Sequence, residues 1–239
     1  DYFQVPPASK GTIEFAQKCK KLVNQFVPDI INMTNGLIEA TNFDSSLVDA
    51  FVFALGKDLI DQSREMVKNG LDMGCTSFAI GSEHFDGGST IFARNYDWME
   101  SFAPFFTKIE SYPKDRISNI SFTDHIIGCY GGVNKQGLAM SIHAFPSYAK
   151  EWVPGIRMNI LTRWILDNFS NVKDAVNFIK KVPHICGQLF LLADKNDDIV
   201  KVEVTSEEID IKYSENGFLV VTNHPQSQKM KKYELKEFI

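Results

Sequence analysis

The sequence lacks the features that mark several large classes of protein. Its four cysteines are spaced too widely for a zinc site or a dense disulfide framework; they are Cys19, Cys75, Cys129 and Cys186. No apolar run approaches the length of a membrane span. Basic residues form no patch that would bind a phosphate backbone, and the net charge is −5, so we expect no nucleic-acid partner. Neither a metal nor another cofactor is expected.

The composition is that of an ordinary globular protein. Hydrophobic residues make up 44% of the 239 residues and charged residues 23%. That is enough apolar material for the core of one large domain or two small ones. The sequence starts at Asp1 and not at a methionine, so we expect a trimmed N-terminus. The sequence leaves open the cellular compartment and whether the protein forms a homo-oligomer.

The first 74 residues have the apolar periodicity of helices. Between residues 8 and 27, apolar side chains recur on one helical face. A second helix is predicted after Pro28. A third is predicted from Ser45 or Ser46, either of which would cap it, to about Val67.

The pattern changes to strands at Cys75. Short apolar stretches are separated by turn residues, which predicts antiparallel hairpins; these strands are 76–80, 90–94, 102–109, 120–122, 125–130 and 138–143. Gly131-Gly132 is predicted as a turn. A pair of helices follows between residues 156 and 182. The last segment predicts a four-stranded meander over residues 189–192, 199–204, 209–213 and 218–222. The pattern predicts an α+β fold of antiparallel sheets with helices packed outside them.

Cys75 lies where chemistry is expected. A cysteine at the end of a strand is by itself usually a buried packing residue. If residues 76–80 and 90–94 pair as a hairpin, however, Arg94 and Asp97 lie near the thiol. A guanidinium close to a thiol favours the thiolate, the form that attacks a carbonyl. The other interpretation of Arg94 and Asp97 is a salt bridge at the end of the hairpin.

Several short motifs together resemble one family. They occur in the family's order and are Cys75-Thr76-Ser77, Arg94-Asn95-Tyr96-Asp97-Trp98, Asn134-Lys135-Gln136-Gly137-Leu138, Phe145-Pro146 and Thr222-Asn223-His224-Pro225. The chain thereby resembles the N-terminal-nucleophile (Ntn) hydrolases of the choloylglycine hydrolase, isopenicillin N acyltransferase and acid ceramidase group. The resemblance implies a four-layer αββα sandwich of antiparallel sheets, preceded here by a helical prosegment.

The resemblance also implies roles for individual residues. Cys75 would be the nucleophile. Arg94 and Asp97 would polarise its thiol and hold its α-amine, and the side-chain amide of Asn223 would donate to the oxyanion. A free α-amine on the nucleophile has a pKa near 7.7–8.0, which suits a base at neutral pH. That amine exists only after the Gly74–Cys75 bond is cut.

The predicted cut divides the chain. Residues 1–74 would form a propeptide or small subunit that stays associated with a catalytic domain of residues 75–239. Two departures from the family are visible. Ala144 stands where bile salt hydrolases have an asparagine before Phe-Pro, and the family's further C-terminal arginine has no counterpart before Ile239. Two expectations follow: either the sequence lacks a C-terminal part of the catalytic domain, or the fold is shorter than the family norm.

The predicted activity is cleavage or transfer of the acyl group of a linear amide with an apolar acyl part. The substrate would be a small molecule, and Trp98, His143 and Phe145 are candidates for lining its pocket. Two alternatives stay open. One is a lipid amidase of the ceramidase or N-acylethanolamine type, and the other is a non-catalytic scaffold that kept the fold.

Overall fold

The protein is described by a computed structural model that covers residues 7–55, 74–98, 100–145 and 152–234. Within residues 7–55 the structure has three helices: α1 (Lys10–Phe26), α2 (Asp29–Thr41) and α3 (Ser45–Ala54). The prediction of a serine cap on α3 is wrong. The carboxylate of Asp44 caps the helix by accepting the backbone N–H groups of Ser46 and Leu47, at 2.9 and 3.1 Å. The predicted continuation to Val67 lies outside the described residues.

Ten strands and three further helices follow in the described part of the chain. The strands are β1 (Gly74–Ile80), β2 (Ile91–Asp97), β3 (Thr107–Ser111), β4 (Asn119–Thr123), β5 (Gly131–Asn134), β6 (Ala139–Ala144), β7 (Gln188–Ala193), β8 (Ile199–Val204), β9 (Ile209–Tyr213) and β10 (Phe218–Val221). The helices are α4 (Met158–Asn168), α5 (Val172–Ile179) and α6 (Gln228–Lys231). Short 3₁₀ turns occupy Ser82–His84 and Glu100–Phe105.

All the strands that the structure describes pair antiparallel, in two sheets. The smaller sheet has the order β10-β1-β2 and the larger has the order β3-β4-β5-β6-β7-β8-β9. The α+β class, the antiparallel sheets and the helices at the N-terminal end are confirmed.

The Gly-Gly pair is part of a strand. The prediction of a strand over 125–130 and a turn at Gly131-Gly132 is wrong, because both glycines belong to β5. A Cβ atom on Gly132 would lie 2.4 Å from the carbonyl oxygen of Ile120 on the neighbouring strand. The glycines therefore allow β4, β5 and β6 to approach closely, which a strand pattern based on apolar residues does not detect.

The last strand changes sheets. The sequence predicts that β10 continues the meander beside β9, but β10 pairs with β1, with Val221 opposite Ser77. Gly217 has φ +70°, and its carbonyl accepts the N–H of Gly81 at the end of β1. This left-handed glycine turns the chain toward the smaller sheet. The switch brings the residues after Val221 beside Cys75.

The two sheets pack face to face. Strands β1 and β10 lie over β6, β7 and β8, and α4 and α5 cover the opposite face of the larger sheet. The described residues thus show three layers in succession: helices, larger sheet and smaller sheet. The outer face of the smaller sheet carries Phe78, Val220 and Phe218, which are 37%, 42% and 53% exposed.

Helices α1 to α3 share the main core with the sheet layers. Their buried side chains, such as Val23 and Phe53, belong to the same apolar cluster as Ile160 of α4 and Val202 of β8. Arg157 reinforces this contact by donating from Nη1 to the carbonyl of Val52 at 3.1 Å. None of the helices in the described part of the chain has the length and apolar character that crossing a membrane requires.

Candidate active site

The predicted hairpin places Cys75 opposite the second motif. Strands β1 and β2 pair so that Gly74 lies opposite Asp97, Cys75 opposite Tyr96, and Ser77 opposite Arg94. Side chains alternate across a strand, so the side chain of Cys75 points toward the larger sheet and is 8% exposed. The hairpin predicted from the sequence is therefore confirmed, with its register now defined.

Arg94 contacts the thiol directly. Its Nη2 donates to the Sγ atom of Cys75 over 3.2 Å. Nη1 donates to the carbonyl of Tyr130. The guanidinium carbon lies 4.7 Å from the ring centre of Tyr130 and 5.0 Å from that of Tyr96. Two cation–π contacts and a backbone carbonyl thus hold the guanidinium against the sulfur.

Burial opposes the effect of Arg94 on the thiol. Burial raises the pKa of the Cys75 thiol, and the nearby charge and hydrogen bond of Arg94 lower it; the net direction in the intact chain is upward. The negative charge of Asp97 adds to the rise. The expectation that Arg94 lowers this pKa is correct for its own contribution, but the contribution is smaller than that of desolvation.

Asp97 lies at the exposed end of β2. Its Oδ1 accepts from the side chain of Asn95 at 2.9 Å, and its backbone faces Gly74 across the hairpin. The carboxylate is therefore at the end of β1 where an α-amine on Cys75 would form after a cut. In the intact chain, the nitrogen of Cys75 is a peptide N–H.

Asn223 completes the site from the other side of β1. It lies two residues beyond β10, and its Oδ1 accepts the backbone N–H of Cys75. Its Nδ2 donates to the carbonyl of Ala144 at 2.9 Å. Ala144, which stands where bile salt hydrolases have an asparagine, thus contacts Asn223 through its backbone carbonyl. The structure brings Gly74, Cys75, Arg94, Asp97 and Asn223 together.

A buried polar group next to the rings is not evident from the sequence. The hydroxyl of Tyr96 donates to Asp124 at 2.7 Å, and His125 Nδ1 lies 2.8 Å from the other carboxylate oxygen. Burial opposes ionisation of Asp124, but the hydrogen bonds from His125 and Tyr96 outweigh it, and the pKa of the carboxyl is lowered. Asp124 thus anchors one of the two rings that hold the guanidinium.

A second polar cluster lies behind the nucleophile. Ser77 Oγ is 2.9 Å from His143 Nε2 and accepts a hydrogen bond from Ser141 Oγ, also at 2.9 Å. His143 is fully buried, and burial together with the charge of Arg94 lowers its pKa to about 3. The imidazole is therefore neutral at physiological pH, and its Nε2 shares a hydrogen bond with the hydroxyl of Ser77.

A cavity of about 810 Å³ opens beside the guanidinium. Its lining includes the aromatic side chains Phe92, Tyr96, Phe106, Phe122 and Tyr130, and the polar residues Thr90 and Asp197 lie at its other end. The four residues from Arg94 back to Thr90 span about 13 Å of strand. The cavity has the volume of a small-molecule site and is mostly apolar.

The three residues predicted to line the pocket, Trp98, His143 and Phe145, lie near the site but outside the lining of this cavity. His143 bonds Ser77, and Phe145 packs with Ala79 and Leu189 in the smaller core between the sheets. Trp98 is 39% exposed and stacks on Tyr96, with ring centres 6.1 Å apart. The apolar spacing of the strands gave no signal that the aromatic residues of β2 and β4 converge on this cavity.

Three solved structures are similar to the chain, and the one with a TM-score above 0.5 supports the fold. An N-acylethanolamine-hydrolyzing acid amidase ortholog from Caenorhabditis elegans aligns over 66% of this chain and 73% of its own, with 18% identity and a TM-score of 0.51. A penicillin V acylase from Agrobacterium tumefaciens aligns over 65% and 54% of the two chains, with 20% identity and a TM-score of 0.46. A variant of conjugated bile acid hydrolase from Clostridium perfringens aligns over 65% and 55%, with 18% identity and a TM-score of 0.42.

This chain therefore spans about half the length of the acylase and of the bile acid hydrolase. None of the curated proteins compared with the chain matches it. The family model of acyl-coenzyme A:6-aminopenicillanic acid acyl-transferase matches residues 85–237, which is more than half of the sequence. The match includes Arg94, Asp97 and Asn223 and begins ten residues after Cys75. The chain belongs to this acyl-transferase family, within the group of Ntn hydrolases that its motifs resemble.

Proposed function

We propose that the protein is a self-processing cysteine amidase or acyltransferase that acts on linear amides through an acyl-thioester at Cys75. The observation that carries the proposal is the pairing of two contacts on one residue. Arg94 Nη2 lies 3.2 Å from the Cys75 sulfur, while Asn223 accepts the backbone N–H of the same residue. Nucleophilic catalysis at an amide needs an activated sulfur and donors for the developing oxyanion.

The first reaction is on the chain itself. The Cys75 sulfur attacks the carbonyl carbon of Gly74, the Gly74–Cys75 C–N bond breaks, and the nitrogen takes up the thiol proton to become an α-amine. Water then hydrolyses the Gly74 thioester and leaves a carboxylate on Gly74 and a free thiol on Cys75. Gly74 has no side chain to obstruct the approach, and a Cβ there would already lie 3.3 Å from Asn223 Oδ1.

The second reaction uses the new amine as the base. It accepts the thiol proton while the sulfur attacks the substrate carbonyl, and it delivers that proton to the departing amine. Asn223 Nδ2 carries two N–H groups, of which one donates to Ala144, so the other serves the oxyanion. Water or an amine then takes the acyl group from the thioester.

Intact-mass measurement tests self-processing. The wild-type chain is expected to separate into two fragments at the Gly74–Cys75 bond, and Cys75→Ala is expected to stay whole. Turnover of simple N-acyl amides should appear with the cleaved fraction. A wild-type chain that stays whole and shows no turnover would favour the non-catalytic scaffold instead.

The cavity favours a lipid amidase as the second candidate. A volume of about 810 Å³ with aromatic walls accommodates a long acyl chain, whereas a short acyl group would leave most of it empty. We expect activity on a series of N-acyl amides to rise with acyl length. Val133 lines the cavity and is 44% exposed, so Val133→Trp should lower activity on long chains and spare short ones. Val153→Trp, at a site 38% exposed and away from the cavity lining, is the matched control.

A further inference from the structure

A buried ion pair lies between the two sheets on β8. Lys201 Nζ is 2.8 Å from Glu203 Oε1, and the two side chains are only 4% and 1% exposed. The residues are two apart on a strand, so both side chains point to the same face, toward the smaller sheet. Removing two charges from water is costly, and replacing such a pair by apolar residues is often neutral or stabilising. Stability alone is therefore a weak reason for this pair.

Both charges bind the segment that follows Asn223. The two carboxylate oxygens of Glu203 accept the backbone N–H groups of Gln226 and Ser227, at 3.0 and 3.2 Å. Lys201 Nζ donates to the side-chain oxygen of Gln226 at 2.8 Å. Three hydrogen bonds thus fix the chain three and four residues beyond Asn223.

The other end of the same loop is fixed by the smaller sheet. Val221 pairs with Ser77 of β1 and is buried, and Asn223 lies two residues further on. The loop that carries Asn223 is consequently held at residue 221 by strand pairing and at residues 226 and 227 by Glu203. Its side chain reaches the backbone of Cys75 from between these two points.

We propose that Glu203, with Lys201 as its counter-ion, is a positioning residue for the Asn223 amide. Glu203 contacts neither the thiol nor the cavity; it acts by fixing the loop from which Asn223 projects. The inference rests on the proposed function, because it assigns Asn223 a part in both the self-cleavage and the amide reaction. A displacement of about 1 Å at a catalytic group is enough to lower a rate by roughly 100-fold.

The test uses the double variant that carries both Lys201→Met and Glu203→Met. It removes both charges and keeps the volumes of the two side chains similar. We expect it to keep the wild-type melting temperature, to lower the rate of self-cleavage and kcat by about 10- to 100-fold, and to leave KM within about twofold. In an Asn223→Ala background, the same double variant should have no further effect on kcat, because its effect passes through that amide. Full additivity in this cycle, or an unchanged kcat, would overturn the proposal.

A matched control and a second readout separate this inference from the function. Arg163 and Asp167 form a comparable pair, 10% and 13% exposed, at 2.7 Å on α4. Replacing both by Met should leave kcat unchanged. In the uncut Cys75→Ala chain, hydrogen exchange at the amide of residue 75 should accelerate when Lys201 and Glu203 are both replaced. If the wild type has no activity but exchange at residue 75 accelerates in the double variant, the proposed function is wrong and the positioning role of Glu203 is supported. If exchange at residue 75 is unchanged, the positioning role is wrong.

Discussion

The side-chain oxygen of Asn223 accepts the backbone N–H of Cys75, a residue 148 positions earlier in the chain. The nitrogen it holds is the leaving atom of the proposed self-cleavage. The same side chain also donates from Nδ2 to the carbonyl of Ala144. In the proposed mechanism, this one amide orients the bond that is cut and then stabilises the oxyanion of later substrates.

The first prediction concerns this amide. Asn223→Ala should slow self-cleavage and amide turnover by about 100- to 1,000-fold, the usual loss for one oxyanion donor. Asn223→Asp keeps an acceptor for the Cys75 N–H but removes the donor, and it should be slow as well. A time course of fragment formation on a denaturing gel measures both. Wild-type cleavage in Asn223→Ala would exclude the assigned role.

The second prediction concerns the thiol pKa. In the uncut chain, the positive charge of Arg94 lowers the pKa of Cys75 and the negative charge of Asp97 raises it. Arg94→Met should therefore move the alkylation profile of Cys75 to higher pH, and Asp97→Asn should move it to lower pH. The measurement is the pH dependence of iodoacetamide labelling in the uncut fraction, read by mass spectrometry on the peptide that spans the intact Gly74–Cys75 bond.

Arg116→Met provides the control for that experiment. Arg116 pairs with Asp29 at 2.9 Å on the surface, and its replacement should leave the Cys75 profile in place. Shifts of the same sign in Arg94→Met and Asp97→Asn would contradict the electrostatic account.

The third prediction concerns stability in acid. The pKa of His143 is lowered to about 3 and that of His184 to about 4, in both cases chiefly by burial. The unfolded chain takes up a proton on each histidine near pH 6.5, whereas the folded chain takes it up only near pH 3 on His143 and near pH 4 on His184. The contribution of His143 to stability is therefore complete above about pH 6.5 and is lost as the pH falls toward 3.

Urea unfolding at a series of pH values measures this effect. Each histidine adds up to about 1.4 kcal/mol per pH unit to the slope of the unfolding free energy below pH 6.5. His143→Gln should lower that slope by its own share, and His184→Gln should do so over a window that ends near pH 4. A slope that is unchanged in His143→Gln would show that the imidazole is not held neutral.

The fourth prediction concerns the two fragments after cleavage. Helices α1 to α3 share one core with the sheet layers, and Arg157 binds the carbonyl of Val52. The fragments should therefore elute together in size-exclusion chromatography. Phe53 is 1% exposed, and Phe53→Ala should lower the unfolding free energy by about 3–5 kcal/mol and weaken this association. Phe85→Ala, at a site 49% exposed, should change little; separation of wild-type fragments without denaturant would contradict the prediction.

Local sequence signals predicted the hairpin well. The short apolar stretches 76–80 and 90–94 identified β1 and β2, and their pairing places Arg94 and Asp97 near Cys75. Asn223 could be assigned only through the family resemblance, because a partner 148 residues away leaves no local pattern. Its approach depends on β10 changing sheets, which the apolar pattern of the predicted meander does not indicate.

The parts of the site that were missed depend on tertiary contacts. His143 was a candidate for the pocket, yet its ring lies behind the nucleophile because its strand passes beneath Ser77. Gly131 and Gly132 signal a turn in isolation and form a strand because neighbouring backbones leave no room for a side chain. Similarly, charged residues two apart on a strand, such as Lys201 and Glu203, are usually exposed. Here they are buried because the loop beyond Asn223 covers them.

The most direct test of the account is to trap the acyl-enzyme. The cleaved protein is mixed with a long-chain N-acyl amide, quenched in acid, and the fragment that begins at Cys75 is weighed and mapped. The account predicts one acyl group bound to the Cys75 sulfur, removable by hydroxylamine and absent from Cys75→Ala. Full turnover by Cys75→Ala, or an acyl group on another residue, would contradict it.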